Sequence, residues 1–244
     1  DDRSVIYTNL TNSMGVLVLA GPKSRDLLQK LTLSDLSNAA FPWLSGQKID
    51  VNLAPALALR VNFVGELGWE LHHPIEYQNH IFDALFKEGA AFGLKPFGIR
   101  AMDAMRLEKS YRMVGTEMSI EYAAFESGLH RFVQMQKEDF IGRDGLAAWQ
   151  EKGFSNSFVT LEVKGIEDAD ALGGNPIYSD GKLVGRATSG GYGYRVKKSL
   201  ALAMLAPDLA AIGTCLEIDI LGQRYDAVVI EESPFDPANE KLRA

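Results

Sequence analysis

Hydrophobic and polar residues alternate most regularly around residue 60. Leu57, Leu59, Val61 and Phe63 are interleaved with Ala58, Arg60, Asn62 and Val64, the period of two expected of a half-buried strand. Residues 69–73 read as a returning strand, and Gly65 and Gly68 frame the turn. Pairing the two glycines opposite each other aligns Val64 with Trp69 and Phe63 with Glu70. Directly opposed residues point to one face with Cβ atoms about 5 Å apart. That register sets Glu70 beside Phe63, Val61 and Leu59, a carboxylate where folding alone favours a hydrocarbon. Such a group needs donors. An arginine partner or a solvated sheet edge is the commoner solution, and a ligand with two parallel N–H groups is the other. Glu66, at the turn tip, is expected in solvent.

Upstream, residues 5–10 and 15–20 read as strands, and Gly21-Pro22 opens a helix whose apolar stripe is Leu27, Leu28 and Leu31. Residues 34–46 form a loop or short helix in which Trp43 packs. Downstream, Tyr77, Ile81, Ala84 and Leu85 fall at helical spacing until Gly93-Leu94-Lys95-Pro96 stops the helix. A further helix spans about residues 98–110, with Asp103 and Arg106 three apart as an ion pair. The pattern changes near residues 150–156. Beyond them come short alternating runs: residues 158–163, a turn at Asp180-Gly181, and Leu216, Ile218 and Ile220 between Glu217 and Asp219. Two domains follow, 1–152 of mixed helix and strand and 153–244 as a small β-barrel or sandwich.

Composition narrows the chemistry. The 244 residues suffice for a full core, and 46% hydrophobic with 23% charged residues is an ordinary globular balance. A net charge of −7 without basic runs argues against nucleic acid or an anionic membrane as partner. The single cysteine, Cys215, makes no internal disulfide and is expected as a buried structural thiol in a reducing compartment. No apolar run approaches the roughly 20 residues of a membrane span. Adjacent His72 and His73 point to opposite faces of a strand, so a histidine metal site is not expected. The stretch Ser189-Gly190-Gly191-Tyr192-Gly193-Tyr194 lacks the Lys and helix start of a phosphate cradle and reads as a close-packed β turn.

Several motifs together carry a resemblance. Phe63-Val64-Gly65-Glu66-Leu67-Gly68-Trp69-Glu70 is followed by Asp103-Ala104-Met105-Arg106-Leu107-Glu108-Lys109, Gly128-Leu129, and Asp139-Phe140-Ile141-Gly142-Arg143. Thr188-Ser189-Gly190-Gly191-Tyr192-Gly193, Lys198-Ser199-Leu200-Ala201 and Pro234-Phe235-Asp236-Pro237 complete the order. The chain resembles the aminomethyltransferase (glycine cleavage T-protein) family, in particular the folate-binding C-terminal region of dimethylglycine and sarcosine dehydrogenases. The resemblance implies an α+β, cloverleaf-like folate-binding fold, incomplete at its N-terminus, followed by the barrel.

It also implies tetrahydrofolate as cofactor, with Glu70 recognising the pterin, Phe63 stacking on it, Met102 as a wall, and Tyr192 among the folate-binding residues. The implied reaction moves a one-carbon unit from an N-methyl amine to tetrahydrofolate, giving 5,10-methylene-tetrahydrofolate. Two positions depart from the family: Phe63 stands where Tyr is usual, and Met102 where the aminomethyltransferases carry Arg. The family's catalytic aspartate is expected upstream of the segment matching residues 15–21. The catalytic residue of this chain is therefore unassigned, and the chain alone is expected to bind without turning over. FAD is expected only in a region outside this chain, a flavin domain of the same polypeptide being the implied partner. The implied location is the cytoplasm, or the mitochondrial matrix in a eukaryote. The alternatives are a non-catalytic folate-binding regulatory or assembly protein of this fold, and a truncated glycine cleavage aminomethyltransferase.

Overall fold

The alternation around residue 60 becomes one half of a four-stranded antiparallel sheet in the computed structural model, which describes residues 4–244. Its strands are β1 (Met14–Ala20), β2 (Gly46–Val51), β3 (Ala54–Leu59) and β4 (Gly68–Pro74), in the order β1-β4-β3-β2. Leu19, Ile49, Ala56, Ala58, Trp69 and Leu71 project from one face into a core closed by Leu27 and Leu28 of α1 (Ser24–Gln29) and Ile81 and Leu85 of α2 (Gln78–Gly89). Spacing of three and four residues puts Ile81, Ala84 and Leu85 on one stripe of α2. Gly93, at φ 73°, ends the short 3₁₀ turn that follows, as the Gly-Leu-Lys-Pro signal predicts. Residues 5–10 form no strand; Val5, Ile6 and Tyr7 stand in solvent, with no neighbouring strand to satisfy their backbone.

The hairpin differs from its predicted register. β3 ends at Leu59, and it is Leu59, not Phe63, that pairs with Glu70. Side-chain demands pull residues 60–67 out of the ladder. Arg60 is buried and donates to the carbonyls of Phe41, Arg243 and Ala244. Asn62 Oδ1 accepts the N–H groups of Val64 and Gly65, while its Nδ2 donates to the Glu66 carbonyl. These bonds build a turn that the two glycines alone did not suggest, and they leave Glu66 half-buried instead of solvated. The slip from Phe63 to Leu59 covers an even number of residues, so Glu70 keeps its expected face.

The remaining chain, Gly98–Pro237, forms a second compact unit, the first being residues 4–97 with Ala238–Ala244. It contains α3 (Ile99–Leu107), α4 (Arg143–Lys152) and a closed barrel. The barrel strands are β5 (Ser157–Val163), β6 (Pro176–Ser179), β7 (Lys182–Gly193), β8 (Lys198–Leu205), β9 (Cys215–Ile220) and β10 (Gln223–Ile230), in the order β10-β5-β8-β7-β6-β9. The α+β class with a terminal barrel stands. Division by element type separates 1–152 from 153–244, whereas compactness divides the chain after Phe97, because α3 packs on β7 and β8. The last residues, including α5 (Glu240–Arg243), return to the first unit, where Arg243 lies over the Trp43 ring.

Asp180 and Gly181, at φ 48° and 75°, form the two-residue turn between β6 and β7. The stretch 189–193 is strand and not turn. Its glycines permit close approach: a Cβ on Gly190 would lie 2.4 Å from the Ala171 carbonyl oxygen. Gly190→Ala should therefore cost about 1–3 kcal/mol through overpacking, read as a lower urea midpoint; an unchanged midpoint would show that the barrel wall yields. Cys215 is exposed and not buried, since it starts β9 one residue before the inward alternation of Leu216, Ile218 and Ile220. Among the described residues no helix is long and apolar enough to cross a membrane.

Candidate functional site

The face of the four-stranded sheet opposite the core is built in cross-strand rows. One row runs Gly46, Leu59, Glu70, Val18, and the next runs Lys48, Leu57, His72, Val16. Asp50 with Pro55 and Pro74 with Met14 extend the pattern beyond them. Val16, Val18 and Leu57 are each more than 40% exposed, an apolar surface without cover among the described residues. Glu70 and His72 stand in the middle of it, with Lys48 and Asp50 on the edge strand β2. Glu70 and His72 occupy alternate positions of β4 and so share a face; His72 Nε2 lies 3.1 Å from Glu70 Oε2, with the side chains 30% and 29% exposed. Glu70 Oε1 takes no hydrogen bond from the described residues. The carboxylate is thus held by one oxygen and presents the other, over hydrocarbon, to a donor from outside. Its neighbour His73 points the other way, fully buried, with Nδ1 on the Leu71 carbonyl and Nε2 on Gln78.

Of the residues singled out from sequence, Glu70 is on this face and Phe63 is half-buried in the irregular segment before β4, away from the ladder position expected for it. Met102, half-buried on α3, and Tyr192, 40% exposed on β7, belong to the second unit. The Tyr192 ring meets Tyr194 edge-on, with centroids 5.1 Å apart. His72 was not foreseen as a partner of Glu70, although its spacing of two along the same strand carries that information.

The second unit contains a buried polar network that the sequence pattern did not announce. Glu117, wholly buried, accepts hydrogen bonds from Ser189 and Thr188 on Oε1, each at 2.6 Å, and from Thr116 (2.6 Å) and the Met113 N–H (2.9 Å) on Oε2. Successive strand residues ordinarily face opposite ways, but the β7 register shifts between Ala187 and Ser189, and this bulge turns both hydroxyls to one carboxylate. Ser189 in turn accepts from Arg106 at 2.7 Å, and Arg106 holds Asp103 at 2.6 Å, the ion pair expected on α3. Burial pushes the Glu117 carboxyl up, and the four donors more than offset it, so the group sits below the usual carboxylate range. Glu108 is similarly enclosed, accepting from the Arg195 side chain and, at 2.6 Å, from its N–H. These groups join α3 to β7 and leave no polar atom of Glu117 for a ligand.

Comparison with known proteins agrees with this architecture. The GCVT N-terminal domain profile matches residues 1–137, and that of the glycine cleavage T-protein C-terminal barrel domain matches residues 156–236. Human mitochondrial dimethylglycine dehydrogenase is 41% identical over 225 residues, which cover 92% of this chain and 26% of that protein. An aminomethyltransferase of Desulfitobacterium hafniense is 32% identical over 222 residues, covering 91% of this chain and 60% of its own length. The 4-methylaminobutanoate oxidase (formaldehyde-forming) of Paenarthrobacter nicotinovorans is 32% identical over 236 residues, covering 96% and 28%. The crystal structure of glycine cleavage system aminomethyltransferase T from Bartonella henselae superposes with a TM-score of 0.80 at 20% identity, over 92% of this chain and 60% of that one, a likeness of fold. The chain therefore spans about a quarter of the dehydrogenase and oxidase relatives and 60% of the aminomethyltransferase.

Proposed function

Because the chain belongs to the glycine cleavage T-protein family, we propose that it is the tetrahydrofolate-binding, one-carbon-transfer portion of a flavin-dependent N-methyl amine dehydrogenase. The observation that carries this reading is Glu70, a carboxylate on an apolar sheet face with Oε1 open to a ligand. The residues fit a pterin: parallel N–H donors match a carboxylate, and hydrocarbon at Val18 and Leu59 matches the ring. Tetrahydrofolate, when bound, supplies the nucleophilic nitrogen that accepts the one-carbon unit. Glu70 fixes the orientation of the ring, and His72 fixes that of Glu70. Phe63 offers an aromatic surface.

Relatives named for dimethylglycine and 4-methylaminobutanoate support an N-methylated amino acid as the one-carbon source; the partner in this reading is a flavin-bearing region of the same polypeptide. The mitochondrial relative supports a matrix location in a eukaryote.

Calorimetric titration with tetrahydrofolate tests the reading. Glu70→Gln should weaken binding by about 1–3 kcal/mol, the scale of a hydrogen bond to a charged group. Equal affinity in the variant and the parent would remove Glu70 from the site.

A further inference from the structure

The wall that β6, β7 and β8 give the barrel carries an open cavity of ≈ 600 Å³, within the range of small-molecule sites and wholly inside the second unit. Pro176, Arg186 and Met204 stand opposite one another in a row across the three strands and so share a face. Met204 and the Tyr122 ring, packed on Leu107, Phe158 and Leu202, make an apolar floor with Pro176 and Leu183. The polar side chains of the lining are Asn156, Glu121 and Arg186. Asn156 is fixed by a buried group: its backbone N–H and its Nδ2 both donate to Glu126 Oε1, at 2.9 and 3.1 Å. A carboxylate only accepts, so the amide nitrogen is the end turned to Glu126. Oδ1 has no donor among the described residues and is not sealed from solvent. Arg186 Nε and Nη2 donate to the Tyr122 hydroxyl at 3.0 and 2.7 Å, and Nη2 also meets Glu121 Oε2. Arg186 Nη1 and the Tyr122 O–H are left as unspent donors, and Glu121 Oε1 as a second unspent acceptor, among the described residues.

We propose that this cavity binds a flat, uncharged aromatic carboxamide, its amide on Asn156 and Glu121 and its ring over the apolar floor. A primary carboxamide carries two N–H donors and one carbonyl oxygen with two lone pairs. The unspent groups are the inverse of that set: two acceptors, Asn156 Oδ1 and Glu121 Oε1, and two donors, Arg186 Nη1 and the Tyr122 O–H. Arg186 and Glu121 already neutralise each other, so an ionised ligand meets no unpaired counter-charge and gives up hydration on entry. An aromatic ring suits the floor, since the Tyr122 ring and the Met204 thioether both favour an aromatic neighbour. Asn156 sets the specificity. Glu126 holds its amide in one orientation, so Oδ1 rejects a ligand with no N–H to offer. Neither Glu70 nor the first unit takes part, and the proposal stands apart from the folate reading.

The test is NMR titration of the chain with nicotinamide. N,N-dimethylnicotinamide, which has lost both N–H donors, and nicotinate, which exchanges the amide for a charge, are titrated in parallel. Nicotinamide should shift the resonances of Asn156, Leu183 and Arg186, and the two analogues should each bind about tenfold more weakly. Asn156→Ala and Arg186→Met should each weaken nicotinamide about tenfold. The Arg186 side chain is half exposed and makes no bond to Glu126, so Arg186→Met should melt like the parent and reports on binding even where Asn156→Ala lowers the melting temperature. No binding of nicotinamide, equal binding of the dimethyl amide, shifts confined to other residues, or affinity indifferent to Arg186→Met would overturn the proposal.

Discussion

Glu117→Ala should lower the unfolding free energy by about 3–5 kcal/mol, the range for removing one partner from a buried charged network. The substitution removes the shared acceptor of Ser189, Thr188, Thr116 and the Met113 N–H: the two threonine hydroxyls keep the Leu202 and Met113 carbonyls, Ser189 and the Met113 N–H lose their acceptor, and Arg106, 3.5 Å from Glu117, keeps Asp103 as its remaining carboxylate. Each of those two donors then lacks the acceptor that offset its desolvation. Glu117→Gln should fall between, since an amide oxygen can still accept from Ser189 and Thr188 while its NH₂ faces the Met113 N–H. Chemical denaturation of the three proteins measures the order; an alanine variant as stable as the parent would mean that the network breaks even.

The same carboxyl sets a pH dependence. Its pKa in the folded state is below the ordinary value, so the unfolded chain binds the proton more readily. The stabilisation is fully present above the unfolded value of about 4.3 and is lost as pH falls through the folded one. Stability measured from pH 6 downward should therefore fall more steeply below about pH 4.3 in the parent than in Glu117→Gln. Parallel curves would assign the acid sensitivity to other carboxylates.

Trp69→Ala should cost about 3–5 kcal/mol. The side chain is fully buried under Phe41, whose ring meets it edge-on at 6.1 Å, with the Arg25 and Arg60 guanidinium groups near its ring. Among the described residues its Nε1–H has no hydrogen-bond partner, so Trp69→Phe removes volume without orphaning an acceptor and should cost clearly less. Trp69 and Glu70 are consecutive in β4 and face opposite sides of the sheet. The alanine variant, kept below its melting temperature, should thus lose stability and not Glu70-dependent tetrahydrofolate binding. A variant that melts like the parent would contradict the central place of Trp69 in the core.

The sequence by itself determined what local periodicity and turn chemistry encode. Period-two runs at residues 158–163 and 216–220 and the left-handed Asp180-Gly181 pair are strands and turn as expected, because each is decided within a few residues. The face of Glu70 was legible for the same reason: parity along a strand survives an error in register, provided the slip is even. The family motifs carried the architecture, which periodicity alone did not reach.

Tertiary structure alone decided the pairings. Leu59 took the place of Phe63 opposite Glu70 because Arg60 and Asn62 are used by backbone carbonyls and amides outside the ladder, some of them at the other end of the chain. Residues 5–10 have strand propensity and no neighbour to pair with. Glu117 has no sequence signature, since two of its three hydroxyl donors lie more than 70 residues away on β7 and meet it only through a bulge. The sheet face around Glu70 likewise exists only once four strands set Lys48, Leu57 and His72 in one row. A strand knows its own alternation, but which residue stands across from it is settled by the hydrogen bonds and burial of the whole fold.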